Sequence, residues 1–169
     1  MAVKRRLSQT LDIPVFATTQ QRAKLGETCH ELNLDREGGI VPRAHIDKSA
    51  FSMWTPEIRE ALRLLPNPKK EIALVGIEAH ICLQESALDL LNEGHTVYVL
   101  VDGVSSCNKE EVPIALARLR HAGAIVTTSE GFLFECVGDA SRPEFRTISA
   151  LVKETKDETR EALQTLCAI

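Results

Sequence analysis

Five cysteines are the residues of this chain best suited to chemistry: Cys29, Cys82, Cys107, Cys136 and Cys167. One of them stands in a catalytic setting. Glu71–Val75 reads as a strand, Gly76–His80 as a turn and Ile81–Asn92 as a helix. Cys82 therefore falls near the first turn of a helix, just past a strand end. Free N–H groups and the helix dipole favour a thiolate there, which is the setting of a cysteine nucleophile. The alternative is a small apolar side chain in the core, since cysteine is among the most buried residue types. Position alone leaves both open. Cys107 lies in a strand-to-helix loop and is the second choice, while Cys136 and Cys167 read as helix packing.

A nucleophile needs a base and a group that holds the thiolate. His80 precedes Cys82 by two residues, and residues two apart on a helix do not face each other. His30, His45, His95 and His121 fall in loops or at element ends, and nothing in the sequence directs them at Cys82. Lys48 closes a short extended run inside the fairly apolar segment 44–54. A partly buried lysine beside a cysteine favours the thiolate; a solvated surface lysine is the ordinary reading of the same residue.

The elements that position these groups alternate between helix and strand. Val3, Leu7 and Leu11 give Ala2–Leu11 a helical face, and Ile13–Thr18 reads as a buried strand. Gln20–Pro42 is a polar, glycine-containing loop of a length that is often functional. His45–Trp54 is extended structure plus a connection. Thr55 and Pro56 then cap and open a helix with Ile58, Leu62 and Leu65 on one stripe, stopped by Pro66 and Pro68. Gly94 closes the Cys82 helix, and Thr96–Val101 is the next strand. Ser105–Asn108 offers caps for a helix with Val112, Ala115, Leu116 and Leu119 at helical spacing. Ala124–Thr127 is a further strand, Ser129–Val137 and Glu144–Val152 are helices, and Lys156–Leu166 is weakly amphipathic. Such alternation implies a doubly wound, Rossmann-like α/β domain, a parallel sheet with helices on both faces. In such sheets sites lie beyond the carboxyl ends of the strands.

The chain has 169 residues, the length of one domain, and we expect 1–169 to be a single unit with 154–169 as a C-terminal helical extension. Hydrophobic residues make up 44 % and charged residues 26 %, which excludes a disordered chain or a small disulfide scaffold. The longest apolar runs are far below the ~20 residues of a membrane helix. Net charge is −4 without a basic stretch, against nucleic-acid binding; Lys4-Arg5-Arg6 reads as a solvated helix face. An odd cysteine number without C-x-x-C points to reduced thiols in a cytoplasmic setting, with nucleus and mitochondrial matrix not excluded. One glycine after Glu71–Val75 is not a phosphate loop, so no dinucleotide or other cofactor is expected.

Gly76-Ile77-Glu78-Ala79-His80-Ile81-Cys82-Leu83, followed by Ala87-Leu88-Asp89-Leu90-Leu91, resembles the nucleophile segment of the isochorismatase-like cysteine hydrolases. The similarity is greatest to the eukaryotic isochorismatase domain-containing proteins. Lys48-Ser49-Ala50-Phe51-Ser52-Met53, Val101-Asp102-Gly103-Val104-Ser105-Ser106 and Thr127-Thr128-Ser129-Glu130-Gly131 agree with it in order, as do Val137-Gly138-Asp139-Ala140, Phe145 and 148–153. The resemblance runs from about Leu7 to Lys153. It implies the hydrolase fold of that family, a small-molecule substrate, and Cys82 as nucleophile toward a carbonyl or other electrophilic carbon. It further implies Lys48 as the catalytic lysine, a cis peptide at Ile77–Glu78, and an oxyanion hole from the backbone N–H groups of Glu78 and Cys82. Gln20, Phe51 and His80 would line the substrate pocket. A homo-oligomer, dimer or tetramer, is expected as partner.

The sequence also departs from the family pattern. The family's general acid/base is an Asp at the end of its first, central strand. Ile13–Thr18 matches the family's second strand instead and ends in Thr-Thr-Gln, and Asp12 and Asp47 are in the wrong places to substitute. Roughly 35–40 residues of the pattern have no counterpart, on the order of one βα unit. The expectation is a hydrolase impaired for lack of that Asp. A non-catalytic binding or oligomerisation module of the same family is the alternative. No D-x-H occurs, so no metal is expected, and Thr18-Thr19-Gln20-Gln21-Arg22 replaces the family's usual pocket-bordering loop.

Overall fold

The computed structural model describes residues 11–32, 34 and 41–167. The expected helix Ala2–Leu11 lies outside them except for Leu11, which sits in a turn. The first strand, β1, is Phe16–Gln20, followed by the short helix α1 (Arg22–Leu25) and a 3-10 turn at His30–Leu32. Then come β2 (Ala44–Lys48), α2 (Pro56–Arg63), β3 (Glu71–Gly76), a π-helical turn (Ala79–Leu83) and α3 (Gln84–Asn92). The chain continues through β4 (Thr96–Val104), α4 (Glu111–His121), β5 (Ile125–Thr127), α5 (Ser129–Val137), α6 (Glu144–Glu154) and α7 (Lys156–Leu166). No helix among the described residues is long and apolar enough to cross a membrane.

Every strand pairing is parallel, as the alternation of helices and strands implies. The apolar run of β4 explains why that strand is central. Val97, Val99 and Val101 face one way and Tyr98 and Leu100 the other, and all are buried; a strand covered on both faces must be apolar throughout. Val97, Val99 and Val101 join Leu74 of β3, Ala87 and Leu90 of α3, and Ala115, Leu116 and Leu119 of α4 in the main core. A smaller core joins Leu133 and Val137 of α5 to Ile148 of α6.

The ladders fall into two groups. β1 pairs with β2, from Phe16 beside Ala44 to Gln20 beside Lys48, while β3, β4 and β5 form the second group in that order. Among the described residues no strand pairing joins β1 or β2 to β3, β4 or β5. Val75 of β3 is 51 % exposed and Ile77 after it 67 %, a high exposure for large apolar groups beside a sheet edge.

Two sequence expectations shift. The first strand begins at Phe16, not Ile13: Pro14 has no N–H to give a ladder, and Leu11 and Ile13 pack on the α5–α6 core instead. The Ser105–Asn108 segment does not cap α4, whose N-cap position is Glu110 and has no side-chain cap. The Ser106 hydroxyl is engaged elsewhere, at the turn that follows β3. Thr55 does cap α2, accepting the Ile58 N–H, with Pro56 in the first turn.

Segment 49–55 and α2 join the two ladder groups. Met53 and Trp54 pack against the main core. The Trp54 ring meets His95 edge-on at 5.4 Å between centroids, and the Arg59 guanidinium lies 5.2 Å from its centre.

Candidate active site around Cys82 and Lys48

Lys48 ends β2 and Cys82 sits in the turn after β3, so both lie at carboxyl ends of parallel strands, where the fold class places sites. Lys48 is buried. Its ammonium donates to Gln20 Oε1 at 2.6 Å, to the Ala50 carbonyl at 2.9 Å and to the Phe51 carbonyl at 2.8 Å. These are all three donors of the group, and all three acceptors are neutral. Burial pushes the Lys48 ammonium below the usual lysine range, while the electrostatic influence of Cys82 and then Asp47 draws it back up. Lys48 and Cys82 thus interact across the two ladder groups.

Asp47 is turned away from this pair. Its Oδ1 accepts the Thr19 hydroxyl at 3.0 Å and the Arg22 backbone N–H at 2.9 Å. The Arg22 N–H above all, with the Thr19 hydroxyl and the Arg22 charge, holds its carboxyl below the usual carboxylate range against the opposing effect of desolvation.

The turn carrying Cys82 is built by backbone and side chain together. Gly76 has φ of 135° and the Ile77–Glu78 peptide is cis. The Glu78 carbonyl accepts the N–H groups of Ile81 and Leu83, each at 3.2 Å. The Ala79 N–H donates to the Ser105 carbonyl at 2.9 Å and to Ser106 Oγ at 3.0 Å, tying the turn to the end of β4. On the other side the buried Ser86 hydroxyl donates to the Cys82 carbonyl at 2.6 Å and accepts the Met53 N–H at 2.8 Å. Ser86 therefore couples the Cys82 turn to the segment that follows Lys48. The Cys82 thiol is free and half-buried.

The expected pocket residues divide. Gln20 supports Lys48, with Nε2 donating to the Ser49 carbonyl at 2.8 Å. Phe51 is exposed and holds Lys48 through its carbonyl. His80 is half-buried, with Nδ1 at 3.0 Å from Ser106 Oγ. Two features escaped the sequence reading. Ser86 looks like an ordinary helix residue until the fold brings Met53 to it. Cys107 reads as a loop cysteine until its N–H donates to Glu78 Oε2 at 2.6 Å.

A half-buried thiol and a buried ammonium held by neutral oxygens are the groups at this site from which nucleophilic chemistry could be built. The chain is similar to known proteins over most of its length. A sequence model of the isochorismatase domain matches residues 3–131. The secreted isochorismatase effector Isc1 of Phytophthora sojae is 38 % identical over 147 residues, covering 87 % of this chain and 70 % of the effector. Isochorismatase domain-containing protein 2 of Pongo abelii is 40 % identical over 149 residues, covering 88 % and 69 % respectively. Among solved structures, the MAR1 ribonuclease from Caenorhabditis elegans superposes with a TM-score of 0.79 at 34 % identity, over 89 % of this chain and 74 % of that one.

Proposed function

The chain belongs to the isochorismatase family, whose function is of the hydrolase type, and from that premise we propose that it acts on a small molecule through Cys82. What supports the reading is the placing of Cys82 and the buried Lys48 at carboxyl ends of parallel strands, with Cys82 drawing the Lys48 ammonium up against the lowering by burial. The Cys82 thiolate attacks the substrate's electrophilic carbon, and in the acyl case a thioester forms as the leaving group departs. The Glu78 and Cys82 N–H groups serve the developing oxyanion. Lys48 holds the negative charge of the thiolate; its three hydrogen bonds fix its position. Water then cleaves the thioester and regenerates the thiol.

Departure of an amine or enol oxygen needs a proton, supplied by a positioned acid. The Lys48 ammonium is bonded to neutral acceptors, and Asp47, beside it in the chain, is engaged by Thr19 and Arg22. We therefore propose that acylation outruns turnover in this chain: reactive substrates acylate Cys82, and unactivated ones are hydrolysed weakly or not at all. A nitrophenyl ester, whose leaving group needs no proton, tests this. The expected result is an acyl adduct on Cys82 by mass spectrometry, absent in Cys82→Ala, with little steady-state hydrolysis of amides or enol ethers. An adduct that persists in Cys82→Ala, or rapid amide turnover, overturns the reading. The family's non-catalytic alternative predicts no adduct at all.

A further inference from the structure

Glu78, His80 and Cys107 come together from two segments, the turn after β3 and the loop after β4, at the carboxyl ends of two parallel strands. One ligand-type atom of each lies within 4.8 Å of the other two. We propose that these three side chains bind a divalent transition-metal ion of the zinc class, at a site separate in its residues from the Cys82–Lys48 pair. The absence of a D-x-H pattern argued against a metal in the sequence; this set is assembled by folding instead.

The donor set is one carboxylate oxygen, one imidazole nitrogen and one thiol sulfur. That combination suits zinc and its neighbours and not magnesium or calcium, which take oxygen ligands. Ligands ~2.0–2.3 Å from a tetrahedral ion stand roughly 3.3–3.8 Å apart. The observed spread closes to that by a movement on the order of 1 Å, within the rotamer freedom of an exposed Cys107 side chain.

The supporting groups are already in place. Ser106 Oγ lies 3.0 Å from His80 Nδ1. With Nδ1–H donating to that hydroxyl, Nε2 carries the lone pair a metal needs, the outer hydrogen bond typical of a ligating histidine. Ser106 is itself fixed by the Ala79 N–H at 3.0 Å. The Cys107 N–H holds Glu78 Oε2 at 2.6 Å, which fixes the carboxylate beside the Cys107 loop and leaves a second oxygen for an ion. Binding replaces the thiol proton: Cys107–SH and the dication give a metal thiolate and one released proton, so affinity rises with pH. Three protein ligands leave a fourth position open, unlike a closed structural site. Occupancy ties the turn that carries Cys82 to the loop after β4.

Cobalt(II), titrated into the reduced, chelator-free full chain, tests the site independently of catalysis. The expected result is a thiolate-to-cobalt charge-transfer absorption saturating at one ion per chain and displaced by zinc. It disappears in Cys107→Ser and survives in Cys82→Ser. Glu78→Gln and Ser106→Ala each weaken cobalt binding by about tenfold or more. No such band in the unmodified protein, a band that survives Cys107→Ser, or one that disappears in Cys82→Ser overturns the proposal. Loss of the band only in Cys107→Ser leaves the hydrolase reading untouched, so the two readings fail separately.

Discussion

At the residue scale, the buried Ser86 hydroxyl is the smallest part with a large effect. It donates to the Cys82 carbonyl and accepts the Met53 N–H. Ser86→Ala leaves the Met53 N–H without its partner, and an unsatisfied buried polar group costs about 1–3 kcal/mol. Thermal unfolding should show that loss of stability, and alkylation of Cys82 should slow relative to the other cysteines. An unchanged Tm with an unchanged alkylation rate contradicts the coupling. Tyr98 gives a second test, because the chain has a single tyrosine. Its hydroxyl donates to Glu135 Oε1 at 2.7 Å, and that bond, then burial, pushes its pKa up to about 12. The raised value favours the neutral form in the folded state. Its contribution to stability is therefore full below the ordinary tyrosine value of about 10 and is lost as pH rises through about 12. The tyrosinate absorbance of the folded protein should rise about two pH units later than that of the denatured chain. Coincident curves rule the hydrogen bond out.

At the element scale, the junction of α2, β4 and segment 49–55 carries the single tryptophan. Trp54 rests edge-on against His95, whose Nδ1 accepts the Lys70 N–H at 3.2 Å. Burial, then the charges of Lys69 and Lys70, lower the His95 pKa, with Glu93 opposing. The neutral ring is thus favoured by folding. The associated stability is present above the ordinary histidine value of about 6.5 and is lost as pH falls through the lowered one. Protonated imidazole quenches indole emission, so Trp54 fluorescence should drop with a midpoint below that of a free histidine, and the drop should vanish in His95→Gln. The alternation of elements was legible because parallel strands buried on both faces are written as apolar runs, as β4 is. The start of β1 was not: Ile13 is as apolar as a strand residue, and its packing on α5 and α6 is decided by the tertiary fold. The Ser105–Asn108 cap failed for a similar reason, since the Ser106 hydroxyl has a better use 26 residues away, at His80. Their places at strand ends marked Cys82 and Lys48 as candidates, and the family resemblance supplied the roles implied for them. Ser86 and the Glu78–His80–Cys107 cluster were not, because local spacing does not record which loops meet.

At the scale of the whole molecule, the strands of the described residues pair in two separate ladders, β1–β2 and β3–β4–β5. Exposed strand edges with apolar neighbours pair readily with other chains, and Val75, Ile77 and Phe51 are all exposed. A net charge of −4 supplies only weak repulsion. Light scattering should therefore detect association that grows with concentration, and Val75→Lys should reduce it, as a charge on an edge does. A monomer at every concentration contradicts this. The same division bears on the reactive pair. Lys48 rides on one group of strands and Cys82 on the other, and Ser86 is the pin between them. The nucleophile's reactivity is accordingly a gauge of alignment: sliding one half against the other by a fraction of a side chain detunes the thiol without touching it. Changes far from Cys82, at the Trp54–His95 contact or along either open edge, should register as altered sulfur chemistry before they register as unfolding.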